Sequence, residues 1–405
     1  MAHSLFIRIG RRAAAWRLAL TLLVAPPLAL GAPSAQAQSF HSAAPFALLA
    51  DYESGSLLYE KNAAEPMEPA STTKLLTAEI VFDALKRGKL RLDDAFPVSE
   101  YAWRAGGAPA HGSAMFLAPH SRVRVEDLLR GLLIQSGNDA AIVLAEGVAG
   151  SAANFVALMN KRAAELGMGH SSFTNPWGNS EPGHRVTARD MALLAAHIVR
   201  TYPEYYGYFS EREFTWNAIR QLNRNPLLGM NAGADGLKTG ETSESGFGLV
   251  GSAVQDGRRL IVVVNGLKTA GERSEEAHRL LRHGFDDFEE RPLFEAGAVV
   301  GAASVYGGDR GEAPLRTEAP VTVFLPRGST EKFTAQIVYR GPLLAPVPAG
   351  LEAARLKVFR GDTLLSDAPL QTAEAVAQGG LARRALDAVG ELAGAAIRKL
   401  MQGKS

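Results

Sequence analysis

Apolar positions recur along this chain with two periods, and the period changes where one kind of element gives way to another. Near the start of the ordered pattern, Phe46 to Asp51 and Ser56 to Tyr59 are short apolar runs on either side of Tyr52-Glu53-Ser54-Gly55. That spacing predicts strand, turn and strand. Helical composition then takes over in Ser71 to Lys86, Val125 to Leu133, Ala140 to Ala149, Ala152 to Leu166 and Thr187 to Tyr202. Gly106-Gly107-Ala108-Pro109 and Asn175-Pro176-Trp177-Gly178 interrupt as loop and turn. Two β-branched-rich runs, Gly246 to Val254 and Leu260 to Leu267, bracket Gln255-Asp256-Gly257-Arg258, a strong hairpin signal, and Glu275 to Phe285 closes as a helix. Strands at both ends with helices between them predict an α/β body whose antiparallel sheet is assembled from both ends of the domain.

From about Arg291 the pattern shortens to alternating runs such as Val321-Thr322-Val323-Phe324 and Phe333 to Tyr339, punctuated by Gly and Pro. This predicts a small all-β sandwich over roughly 291–372, after a first domain at 38–290. Residues 380–402 have the clearest helical periodicity in the chain. Leu381, Ala385, Leu386, Val389, Leu392, Ala396, Ile397 and Leu400 share one face, while Arg383, Arg384, Asp387, Glu391 and Arg398 lie on the other. Five basic residues against two acids between 380 and 405 suit an anionic membrane surface; docking on the protein itself or in an oligomer is the other reading.

Residues 1–37 read as a secretory signal. Arg8, Arg11, Arg12 and Arg17 precede the apolar run Leu18 to Leu30, and Ala35-Gln36-Ala37 offers a small-x-small cleavage site. Pro26-Pro27 interrupts that run, so a retained transmembrane anchor is the lesser alternative. Loss of the segment removes four arginines and no acid, taking the formal charge from +1 to −3, which leaves no case for nucleic-acid binding. The chain has no cysteine, so disulfides, thiol catalysis and cysteine-ligated metal are excluded. His111, His120, His170 and His184 are scattered without metal-ligand spacing, and no metal or other cofactor is expected. His184, near Asp190, is placed to support a site loop.

The chemistry concentrates at Glu68-Pro69-Ala70-Ser71-Thr72-Thr73-Lys74. Ser71 stands at a predicted helix N-terminus, where backbone N–H groups are unpaired and the helix dipole is positive. Lys74 follows one turn later on the same face. A lysine can take a proton from an alcohol only if burial and a second cation depress its pKa. Ser329-Thr330-Glu331-Lys332 has the same form but follows Pro326-Arg327-Gly328 and leads into a strand-like run, so a structural role is expected there. Two further short motifs follow Ser71 in order, Ser136-Gly137-Asn138 between helices and Lys238-Thr239-Gly240 ahead of the hairpin. Alone, Ser136 and Asn138 also read as a helix cap and a turn residue.

Together the three motifs match the set used by penicillin-binding proteins and serine β-lactamases. From about Ala44 to Phe288 the chain resembles the DacA-type D-alanyl-D-alanine carboxypeptidases of peptidase family S11. The β domain and terminal helix extend the likeness over nearly all of the mature chain. The resemblance implies a penicillin-binding transpeptidase-like fold and an exported, periplasmic enzyme held at the outer face of the inner membrane. Its substrate would be peptidoglycan stem peptides ending in D-Ala-D-Ala, with β-lactams as covalent inhibitors.

By residue, the resemblance makes Ser71 the nucleophile, Lys74 its base and Ser136 a proton relay. Asn138 would bond the substrate backbone. Lys238, Thr239 and Arg273 would hold the terminal carboxylate, Gly240 would allow close approach, and the Ser71 and Glu241 amides would form the oxyanion hole. Glu241 departs from the histidine or tyrosine common in relatives and puts an acid beside an anion site. A D,D-endopeptidase acting on cross-links uses the same machinery. A β-lactamase would need a Glu-x-x-Leu-Asn pattern, and none is found around Glu165-Leu166-Gly167. A non-catalytic wall-binding scaffold would require a broken motif, and none is broken.

Overall fold

The computed structural model describes residues 2–7, 40–230, 232–329, 332–361 and 363–381. Most of the expected signal and nearly all of the expected terminal helix lie outside them. The chain divides into two compact units. One is formed by Ser42–Pro292 with Thr322–Ser329, the other by Leu293–Val321 and the described parts of Met1–His41 and Thr330–Ser405.

The first unit is built on five antiparallel strands: β1 (Phe46–Asp51), β2 (Leu57–Lys61), β3 (Ala234–Thr242), β4 (Gly246–Gln255) and β5 (Arg258–Leu267). Their order across the sheet is β2-β1-β5-β4-β3. Leu49 of β1 stands opposite Val262 of β5, so the two ends of the segment do meet in one sheet. The near-continuous apolar run of β5, buried from Leu260 to Val264, fits a strand with neighbours on both sides.

Against this sheet lie α1 (Lys74–Lys86), α2 (Asn138–Ala149), α3 (Ala152–Glu165), α4 (Ala188–Thr201) and α5 (Ala270–Asp286). The first helix buries residues on every side, Leu75, Leu76, Val81 and Phe82 among them, which marks it as the central helix of the core. The same core holds Leu132, Ile142, Phe155, Leu194 and Phe209. Helix starts are set by side-chain caps: Ser151, Thr187 and Thr269 accept from the amides of Asn154, Asp190 and Glu272 at 3.1, 3.1 and 3.0 Å.

Four elements differ from the sequence reading. The fifth helix begins at Ala270 rather than Glu275, because Thr269 and Glu272 form a reciprocal cap in which Glu272 accepts from the Lys268 amide at 3.0 Å. The helix from Val125 ends at Arg130 and continues as a π-turn over Gly131–Gln135, after which Ser136 turns with φ 68°. Gly137 takes the cap position, so α2 starts at Asn138, two residues earlier than its composition suggests. An unforeseen hairpin, Glu213–Trp216 with Ile219–Leu222, turns through Asn217 and Ala218, both at positive φ; the usual glycine signal is missing.

The second unit is all β. Thr334–Arg340, Glu352–Arg360, Thr363–Thr372, Glu312–Thr317 and Val299–Tyr306 neighbour one another in that order as antiparallel strands, and Leu343–Leu344 adds in parallel at one edge. Ala2–Ile7, within the expected signal, pairs antiparallel with Thr334–Arg340 at the other edge. Val305, Ala313, Val347 and Val376 form a small core. Ser329 lies in a turn closed by its amide on Pro326 O at 2.9 Å.

One charge sits inside the first core. Glu79, in the middle of α1, is fully buried, and its Oε1 accepts from Arg162 Nη2 at 2.6 Å, Tyr202 OH at 2.8 Å and His197 Nε2 at 3.1 Å. Burial opposes the charge, but bonds from His197, Arg162 and Tyr202 outweigh it and hold the carboxyl below its usual range. Glu79→Gln should therefore destabilise the unit by about 2–4 kcal/mol at pH 7, read from urea unfolding, because Arg162 loses its buried counter-charge and keeps only the more exposed Glu165 and Asp83. Since the native pKa is depressed, the carboxylate's contribution is present above the unfolded pKa and declines as pH falls through the native one, so the gap between wild type and variant should shrink on acidification.

Candidate active site

The site forms where α1, the π-turn and the edge strand β3 converge. Ser71 lies in a short 3-10 turn, Ala70–Thr73, that feeds directly into α1 at Lys74. It therefore sits one turn before the α-helix proper, and Ala70 ahead of it takes φ 45°, a conformation non-glycine residues rarely adopt outside constrained sites. The turn is anchored from outside: Asn265 Nδ2 of β5 donates to Glu68 O at 2.9 Å, and Arg185 pairs with the Glu68 carboxylate at 2.9 Å.

Lys74 is fully buried. Its Nζ lies 2.9 Å from Ser71 Oγ, 2.7 Å from Asn138 Oδ1 and 2.6 Å from Trp177 O, so that a neutral amine spends its two N–H bonds on the last two oxygens and turns its lone pair to the Ser71 hydroxyl. Burial, then the charges of Lys238 and Arg224, drives its pKa well below the usual lysine value, with Asp139 opposing. Lys238 is 2% exposed and bonds only its neighbour's carbonyl, Thr239 O, at 2.9 Å among the described residues. Burial, Arg224 and Arg273 push its amine down as well. An amine that is neutral and 2.9 Å from a hydroxyl can accept that hydroxyl's proton.

Ser136 and Asn138 arrive by way of the π-turn. The Ser136 Oγ is buried and makes no hydrogen bond among the described residues, so it caps no helix and remains open to a ligand. Asn138 spends its Oδ1 on Lys74, which leaves its amide N–H groups to donate. Next to it the buried Asp139 carboxylate accepts from the amides of Met115, Ala140 and Leu117 at 2.8, 2.9 and 3.1 Å and holds the Met115–Leu117 bend.

The third motif lies on β3. A Cβ on Gly240 would fall 2.9 Å from Pro69 O and 3.1 Å from the Ser71 and Thr72 amide nitrogens, so only glycine lets the strand lie against the Ser71 turn. Glu241 follows, exposed and antiparallel to Phe247 of β4. Arg273, 8% exposed on the first turn of α5, has its guanidinium 5.7 Å from the Phe247 ring and a buried Nε without a partner among the described residues. Burial lowers its pKa, while the Glu241 carboxylate acts to raise it.

Sequence reasoning missed three contributors. Arg224, in the Asn223–Pro226 loop after the hairpin, supplies a cation felt by both lysines; it is exposed, so water softens its field. Nothing in its local pattern marks it. The Trp177 carbonyl was invisible because a backbone acceptor leaves no trace in residue identity. Gly178 beside it is at φ 89°, and a Cβ there would lie 1.9 Å from Ala70 O. His184 does support a site loop, but through Thr73 and Thr174; Asp190 instead accepts from the His170 amide and the Ser171 hydroxyl. Among the described residues no cluster of three His, Cys, Asp or Glu is placed to hold a metal.

A serine hydroxyl beside a buried amine of lowered pKa, next to a second buried lysine and an antiparallel edge strand, defines a serine acyl-transfer enzyme. A family model described as D-alanyl-D-alanine carboxypeptidase matches residues 32–269, and one described as penicillin-binding protein 5, C-terminal domain, matches 288–378. D-alanyl-D-alanine carboxypeptidase DacC of Escherichia coli is 40% identical over 88% of this chain and 88% of its own. The crystal structure of penicillin-binding protein 5 from Haemophilus influenzae aligns with a TM-score of 0.72 at 36% identity, covering 88% of this chain and 100% of that one. Penicillin-binding protein D2 from Listeria monocytogenes, solved with ampicillin bound, aligns at 0.53 and 32% identity over 61% of this chain and 99% of its own. The chain belongs to the peptidase S11 family of D-alanyl-D-alanine carboxypeptidases.

The two lysines are coupled electrostatically, and this is measurable without substrate. Lys238→Met should raise the Lys74 pKa toward the ordinary lysine value, followed through the Lys74 Cε resonances in a pH titration. An unmoved Lys74 titration would mean that burial alone lowers its pKa.

Proposed function

We propose that the protein removes the terminal D-alanine from peptidoglycan stem pentapeptides through an acyl-enzyme on Ser71. The observation that carries this reading is the 2.9 Å contact between the Ser71 hydroxyl and a Lys74 amine whose pKa is lowered by burial and by Lys238. Ser71 Oγ attacks the carbonyl between the two D-alanines as its proton passes to Lys74. The C–N bond then breaks, and the leaving D-alanine amine takes a proton relayed from Lys74 through the Ser136 hydroxyl. Water hydrolyses the ester and restores Ser71.

The Ser71 and Glu241 amides hold the oxyanion. The Asn138 amide bonds the substrate backbone. Lys238, Thr239 and Arg273 receive the terminal carboxylate, for which the unpaired Arg273 Nε and the planar guanidinium fork are suited. Glu241 beside them tempers that positive field, so carboxylate affinity is set by the balance of these charges. β-lactams, which carry a strained amide and a carboxylate, would acylate Ser71; the ampicillin-bound Listeria relative supports this.

We assign the catalytic role to 38–290, a β domain to 291–372, and attachment to the outer face of the inner membrane to the basic amphipathic segment 380–405, after export directed by 1–37. Among the described residues no single helix is long and apolar enough to cross a membrane.

A fluorescent penicillin should label wild type covalently and leave Ser71→Ala unlabelled. A pentapeptide ending in D-Ala-D-Ala should release free D-alanine, whereas release of cross-linked dimers as monomers without free D-alanine would favour endopeptidase action instead. Deletion of 380–405 should leave activity on soluble peptide intact and shift the protein from the membrane to the soluble fraction; equal fractionation of both forms would refute the attachment.

A further inference from the structure

His184 is 1% exposed on the loop before α4, and both of its ring nitrogens are engaged. The Thr174 amide donates to Nδ1 at 3.0 Å. An amide N–H can only donate, so Nδ1 carries no proton; Nε2 carries it and donates to Thr73 Oγ1 at 2.8 Å. The Thr174 hydroxyl, also 3.0 Å from Nδ1, adds a second donor to the same nitrogen, and Phe173 packs edge-on at 5.7 Å.

The two segments this ring joins are the ones that meet at Lys74. Thr73 lies between Ser71 and Lys74. Thr174 opens the turn in which Asn175 Oδ1 gathers the amides of Gly178 and Asn179 at 2.7 and 3.0 Å. The carbonyls of that turn face α1: Trp177 O accepts from Lys74 Nζ at 2.6 Å and Pro176 O from Thr77 Oγ1 at 2.7 Å.

We propose that His184 is a positioning residue for acyl transfer, a neutral ring that fixes the Trp177 carbonyl and the Ser71 turn at the separation in which Lys74 faces the serine hydroxyl. This rests on the reading of Ser71 as nucleophile and Lys74 as base. A proton on Nδ1 would set N–H against N–H and open the lock. Burial pushes the imidazole down to about 4, with Glu181 raising and Arg185, itself paired with Glu68, lowering it. The lock is therefore closed above about pH 4 and open below.

The test is the rate of acylation by a fluorescent penicillin in the full chain, read as an apparent second-order constant against pH. His184→Ala should lower it at pH 7 by about tenfold or more, since sub-ångström displacement of a base is costly. His184→Gln, whose amide offers a non-titrating acceptor and donor, should restore most of the rate and lose the extra acid step expected of wild type near pH 4. Nitrogen-detected NMR of wild type should show Nε2 protonated and Nδ1 bare down to that pH.

A folded His184→Ala that acylates within about twofold of wild type overturns the proposal, as do alanine and glutamine variants that are equally slow, or a ring protonated at Nδ1 near neutrality. Should the alanine variant fail to fold, the glutamine variant's pH profile decides, its acid step lost if the lock is right and kept if not. A wild type that takes no label at all sinks the nucleophile reading instead.

Discussion

Two lysine amines withdrawn from water into the same small space are the constraint on which the rest of this structure depends. Each is far more stable charged in solvent, and each is held where charge is hardest to keep. Neither Lys74 nor Lys238 is given a carboxylate partner among the described hydrogen bonds; Lys74 is surrounded by a hydroxyl, an amide oxygen and a carbonyl, and Lys238 by a carbonyl. These groups orient the amine without adding a full negative charge. Asp139, close enough to act on Lys74, is occupied by three backbone amides instead. The arrangement costs stability at neutral pH, where the unfolded chain would protonate both amines, and it yields a base beside a serine.

A cost of that kind has to be carried by a rigid surrounding, and the core supplies one. The first helix is buried on every side, so the Ser71 turn at its start inherits the fixed position of Leu75, Leu76 and Phe82. Glu79, in the middle of α1, ties it to α3 through Arg162 and to α4 and its end through His197 and Tyr202. Here the chain takes the opposite solution to the one at Lys74: a buried charge fully matched by donors. Local strain collects at the site itself, with Ala70 and Ser136 at positive φ and a π-turn leading into Ser136. Regular helix would have aimed these side chains elsewhere.

The close fit of β3 against the Ser71 turn sets the remaining geometry. Because Gly240 has no side chain, the strand can bring Lys238 and Glu241 beside Ser71 without displacing Pro69 or Thr72. Glu241 then adds an acid that acts on Arg273 and Arg224, the cations on that side of the cleft. Positive charge around the expected carboxylate site is thus balanced within the protein as well as by the ligand it would receive.

The antiparallel sheet, the central helix, the hairpin of β4 and β5 and the all-β second unit were legible in the linear pattern, because period and turn residues are local properties. So was the order of the three motifs that hold Ser71, Lys74, Ser136, Asn138, Lys238, Thr239 and Gly240, because those residue types advertise their chemistry and their succession is distinctive. What the pattern could not carry was anything made of backbone or of distance. The Trp177 carbonyl, the early start of α2, the π-turn and the hairpin turned by Asn217-Ala218 depend on conformations that ordinary residues adopt only under tertiary constraint. Arg224 looks like any surface arginine until folding brings it within reach of Lys74, and the partners of His184, Thr73 and Thr174, could not be read from a histidine placed near Asp190. Residue identity alone determined which groups could react; burial and the convergence of segments more than a hundred residues apart decided which of them are neutral, which face one another and which are held still, since a pKa and a hydrogen bond are properties of surroundings that exist only once the chain has folded.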